Sequence, residues 1–82
     1  MPNEQEKAPE LSFGQRAAGV TFNPSKLEGV NKIKALAADL LDELDRQRSE
    51  VTDGEQKAQY TLAIRNVTQG KMWGVNAATW NL

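Results

Sequence analysis

The sequence contains no cysteine and no histidine. Their absence removes a disulfide framework, a thiolate or imidazole metal site, and any Ser-His or Cys-His nucleophile pair. No apolar run approaches the ~18 residues of a membrane span, and no stretch has the pattern of a secretory leader. Charge of one sign is lacking too. Ten Lys and Arg against eleven Asp and Glu leave a net charge of −1. Binding to DNA or RNA in general needs a basic face and is not expected, whereas a small anion held by two or three basic side chains is compatible with this balance. Alternation of the kind that marks strands is missing at any useful length. These absences lead to the expectation of a small all-α cytoplasmic protein that is no enzyme, needs no cofactor or metal, and does not associate with membranes.

The 82 residues suffice for one domain with a thin core. Residues 1–10 are polar, with prolines at 2 and 9, and read as a disordered or frayed end; the domain is expected over 11–82. Leu11 to Gly19 suits a short helix, with Ser12 as N-cap and Gly19 as its stop. Val20-Thr21-Phe22 favours extended backbone, and Asn23 must stay extended because Pro24 comes next. Ser25-Lys26-Leu27-Glu28 has the form of a capping box and predicts a long helix from about Ser25 to about Arg48. Val30, Ile33, Ala37, Leu40 and Leu44 make its apolar stripe, widened by Leu27 and Leu41. Lys34 falls at the stripe's edge, about 40° round from Val30.

A short link at 49–53 and a second capping box at Thr52-Asp53-Gly54-Glu55 lead into another helix, from about Gly54 to about Trp80. Two long helices on a short link form an antiparallel hairpin. The second helix has two apolar faces. Tyr60, Ile64, Val67, Val75, Ala78 and Leu82 face the first helix, while Leu62, Trp73 and Trp80 lie on the other side with Asn66, Gln69 and Asn76. A two-helix hairpin cannot cover both. Exposed tryptophans on so small a chain call for a partner, most simply further copies of itself, so Leu62, Trp73 and Trp80 are the expected oligomer interface. A module that binds another protein through this Trp73/Trp80 face is the alternative reading.

Lys71 falls in the middle of the core-facing side of the second helix. Antiparallel pairing sets residue 34 opposite about residue 68, so Lys34 and Lys71 come within about one turn of each other at the open end of the hairpin. Phe22 enters at that end. Two cations and an aromatic around one opening can hold a phosphate and stack a base; alternatively the lysines lay their stems over apolar surface and keep their ammonium groups in water. The carboxylates Asp39, Asp42, Glu43 and Asp45 read as a solvated helix face paired with neighbouring basic residues.

The run TFNPSKLEGVNKIKALAADLLDEL, with KMWGVNAATW at a distance after it, resembles the phage-encoded family of small helical-hairpin sponges, the anti-CBASS and anti-Thoeris proteins. The matching elements are Phe22-Asn23-Pro24, Ile33-Lys34 and Met72-Trp73, over roughly residues 20–80. The resemblance implies a protein of the host bacterial cytoplasm that sequesters cyclic oligonucleotide messengers of anti-phage defence without degrading them. It implies homo-oligomers, commonly hexamers, with pockets at subunit junctions. Phe22 would stack a base, Lys34 would meet phosphates or base edges, Asn23 and Pro24 would shape the loop, and Trp73 would pack between subunits. The expected ligands are cyclic dinucleotides of the cGAMP type, and other cyclic oligonucleotides in second place. Some members carry tyrosine at the position of Phe22. Some also carry an arginine near the end of the second helix that serves a cyclic-trinucleotide pocket; this chain ends AATWNL and has none.

Overall fold

The structure, a computed structural model, describes residues 10–82. The segment expected to be frayed therefore lies outside the described residues, apart from Glu10, which is exposed and outside any helix. The described chain is all-helical: α1 (Phe13–Ala18), α2 (Glu28–Glu50) and α3 (Gly54–Ala78).

Six residues are too few for a helix to persist alone, and α1 is held at both ends and from the side. Ser12 Oγ accepts from the Gln15 amide at 3.0 Å while Gln15 Oε1 accepts from the Ser12 amide at 2.9 Å. Sequence reasoning saw the serine but not the glutamine that completes this capping box. Gly19 ends the helix at φ 70°, where a side chain would be strained. From the side, Asp42 of α2 accepts from Ser12 Oγ and from the Gly14 amide, both at 2.7 Å. Gly14 permits that approach, since a Cβ there would overlap the Ala38 carbonyl oxygen. Asp42 is thus a fastening between helices and not one more solvated carboxylate. Glu43 and Asp45 do behave as surface charges, paired with Arg46 at 2.6 Å and Arg48 at 2.7 Å. Hydrogen bonds from Arg46, and then from Gln47, hold the Glu43 carboxyl down at about 2.

The start of α2 differs from expectation. The helix begins at Glu28, and its N-cap, Leu27, makes no side-chain cap bond. The Ser25 box does not form because Asn23 takes over the turn. Its Oδ1 accepts from Ser25 Oγ at 2.7 Å and from the Lys26 amide at 3.0 Å. Its Nδ2 donates to the Leu27 carbonyl at 3.0 Å and to Asn31 Oδ1 at 2.8 Å. An asparagine side chain can close such a turn on its own, and here it holds Lys26 at φ 59°. The cap of α3 likewise sits one residue later than expected, with Asp53 accepting from the Gln56 amide at 2.9 Å.

Contacts between α2 and α3 run in opposite senses along the two helices. Gln47 meets Tyr60 and Arg48 meets Thr61 near the link, and Ile33 meets Gly74 at the far end. The hairpin is antiparallel. The buried stripe of α2 is Val30, Lys34, Ala38 and Leu41, rotated from the expected one. The cause is α1, which packs on one flank of α2 and buries Ala38 and Leu41 with Ala18 and Ile64, while Leu40 is left 48% exposed. Ala78 and Leu82, expected to face α2, are exposed; Ala78 is the last residue of α3 and Leu82 lies beyond it.

Asp42→Ala leaves two donors without their acceptor and is expected to lower stability by about 2 kcal/mol, since hydrogen bonds to charged groups contribute about 1.5–3 kcal/mol each. The melting temperature should fall by about 10 °C. Asp39→Ala, on the exposed side of the same helix, should stay within about 0.5 kcal/mol of wild type. Equal melting temperatures for the two variants would show that Asp42 does not hold α1.

Candidate functional cleft

The loop between α1 and α2 turns back across the open end of the hairpin. Gly19 turns the chain, the Phe22 amide donates to the Gly19 carbonyl at 3.0 Å, and Pro24 with the Asn23 network stiffens the loop up to the start of α2. Phe22, Asn23, Pro24 and Ser25 form one wall of a cleft of about 440 Å³. Val30 and Lys34 of α2 form its floor, and Lys71, Met72, Val75 and Asn76 of α3 the opposite wall, with Thr79 and Leu82 beyond. All five residues singled out for ligand contact, Phe22, Asn23, Pro24, Lys34 and Lys71, therefore line one cavity, of a size within the range of small-molecule sites.

Sequence reasoning missed Val75, Asn76 and Thr79 as lining residues. The signal was available: they come one and two helical turns after Lys71 and Met72, on the side facing the same opening. Asn76 is exposed and its amide makes no hydrogen bond among the described residues, so it can offer both donors and an acceptor to a ligand.

The two lysines shape the electrostatics. Lys34 is 6% exposed. Its ammonium donates to the Phe22 carbonyl and lies 5.3 Å from the centre of the Phe22 ring. A cation over an aromatic face is attracted to it, and that face is then occupied. The ring is still 70% exposed, so its other face is free to stack a planar group. Lys71 is half-buried and has no hydrogen-bond partner among the described residues. Burial pushes its ammonium below the usual lysine range, and the positive charge of Lys34 pushes it further the same way. Among the described residues neither lysine has a carboxylate within 4.0 Å. Two like charges without counter-charge in a half-buried cleft raise the energy of the empty site, and an anion there would lower it.

Leu62, Trp73 and Trp80, the expected interface residues, are exposed, at 59%, 66% and 80%. Trp73 and Trp80 line a second groove of about 430 Å³ that shares Asn76 and Thr79 with the first cleft. The tryptophan face and the lysine cleft are thus neighbours at the C-terminal end of α3 and the turn just after it. Leu36 and Leu40 of α2, at 65% and 48% exposed, add apolar surface that the sequence pattern did not single out as exposed. Among the described residues no group of His, Cys, Asp or Glu is placed to hold a metal ion, and no helix is long and apolar enough to cross a membrane.

The charged form of Lys71 is disfavoured in the fold, so its folded pKa lies below the unfolded value. Between those two values the unfolded chain binds more protons, and stability of the ligand-free protein should rise with pH through that alkaline window. Lys71→Met should raise the denaturant midpoint at pH 7 and abolish this alkaline rise. A variant less stable than wild type at pH 7 would show that Lys71 supports the fold instead of straining it. No protein-family model, curated protein or solved structure matches the chain.

Proposed function

We propose that this protein binds and sequesters cyclic dinucleotides, acting as a phage immune-evasion sponge in the cytoplasm of the host bacterium and leaving its ligand intact. One observation carries the reading: an exposed aromatic ring with one free face and two lysines that have no carboxylate partner among the described residues converge on a single cleft. A cyclic dinucleotide presents bases and anionic phosphodiesters within a few ångströms of each other, which matches that pairing of groups. Each stacked base contributes about 1–3 kcal/mol. Bases and phosphates held together reach nanomolar affinity at about −12 kcal/mol. The resemblance to the helical-hairpin sponges supports the same class of ligand. Under this reading the chain is a homo-oligomer, a hexamer by that resemblance, in which copies meet through Leu62, Trp73 and Trp80 and close the open cleft.

The exposed tryptophan face favours a second reading, a helical module that binds another protein through Trp73 and Trp80. The two readings separate in sedimentation. The sponge reading expects a stable oligomer of the chain alone, dissociated by Trp73→Ser with Trp80→Ser. A monomeric wild type with solvent-quenched indole fluorescence would favour the module.

Ligand binding is tested by thermal melting with a panel of cyclic di- and trinucleotides. A ligand at a thousandfold its Kd stabilises the native state by about 4.1 kcal/mol, many degrees for a chain of this size. Phe22→Ala should weaken binding by about 1–3 kcal/mol, the contribution of one stacked base. No melting shift with any cyclic dinucleotide would refute the proposal.

A further inference from the structure

The cleft lysines differ in their surroundings. The hydrogen bond and the cation–π contact of the Lys34 ammonium both lead back to the same turn. It donates to the Phe22 carbonyl, lies over the Phe22 ring at 5.3 Å, and stands 3.9 Å from where a Cβ on Gly19 would be. It is 6% exposed, whereas Lys71 is half-buried with its ammonium unpartnered among the described residues. An ammonium carries three donors, and at Lys34 the acceptor of one of them is the backbone of the loop itself.

We infer that the two lysines divide the work: Lys34 is a positioning residue that fixes the Phe22 backbone and ring, and Lys71 is the cation that meets the phosphodiester of a nucleotide ligand. Lys34 ties the loop to α2 at Phe22, just as Asn23 ties the next residues to its first turn. The ring is thereby set before any ligand arrives, which reduces the ordering cost of binding. Lys71, on α3, stands across the cleft from that ring and is the group whose charge an incoming anion neutralises. The Lys71 half rests on the sponge reading. The Lys34 half concerns the free protein and does not.

Amide hydrogen exchange of the ligand-free full chain tests the first half. Lys34→Met should speed exchange of the Phe22 and Lys26 amides at least about tenfold, the loss of about 1.4 kcal/mol of local protection. The amides of α3 near Ile64 should keep their wild-type rates, which checks that the variant is folded. Lys71→Met should leave the loop amides unchanged. Wild-type loop rates in Lys34→Met would overturn the positioning role. Acetylation by acetic anhydride, read residue by residue in a mass spectrometer, tests the second half. Lys71 should react at least about tenfold faster than Lys34 in the free protein, because the unprotonated and accessible amine is the nucleophile, and saturating cyclic GMP–AMP should suppress its reaction. Lys71 acetylated equally fast with bound cyclic GMP–AMP, or Lys34 protected in its place, would overturn the assignment. If wild type binds no cyclic dinucleotide, the Lys71 half falls with the sponge reading, while the loop exchange rates still decide Lys34. The two failures are therefore distinguishable.

Discussion

α2 buries a narrow stripe, Val30, Lys34, Ala38 and Leu41, against neighbours on two sides, and the placement of every cleft residue depends on that constraint. Its lower half is gripped by α1 through small residues and the Asp42 fastening. Its whole length pairs with α3. With both contacts made, the chain between α1 and α2 crosses the open end of the hairpin. That path brings Phe22 over Lys34 and sets it opposite Lys71. A thin core is enough because the elements interlock through specific hydrogen bonds as well as through apolar area.

The same constraint leaves unsatisfied features on one end of the molecule. A lysine pair with no carboxylate partner among the described residues, an aromatic with one free face, and a row of exposed apolar side chains on α3 are each unfavourable in an isolated chain surrounded by water. Stability is set aside where the proposed ligand and the proposed further copies would restore it. A protein that holds a small anion tightly needs stacking surface, positive charge and enclosure; the first two collect here, and the proposed further copies would supply the third.

Helix order and the hairpin were legible in the sequence because α2 carries clear apolar periodicity and a short link with its own cap signal joins it to a second long helix, although that helix has apolar residues on two faces. The meeting of Phe22, Lys34 and Lys71 was legible from the antiparallel register and the proline that bends the loop. The features that escaped were governed by side chains too small or too polar to register as apolar pattern. Gly14, Ala18 and Ala38 let α1 approach closely and so rotated the buried stripe of α2 away from Leu40. Asn23 outcompeted Ser25 for the turn before α2, since an asparagine carries its donor and its acceptor on separate atoms and makes four bonds here, one of them accepted from the serine. Asp42 looked like any other carboxylate of a solvated face, because a partner 28 residues away in the chain leaves no local signature.

Isothermal titration of the purified protein with cyclic dinucleotides, and then heat release and chromatography of the bound ligand, tests the central claim most directly. Saturable binding of about nanomolar Kd to at least one cyclic dinucleotide, with the ligand recovered intact, is the expected result. Absence of binding to every cyclic dinucleotide, or recovery of a linearised product, would contradict it.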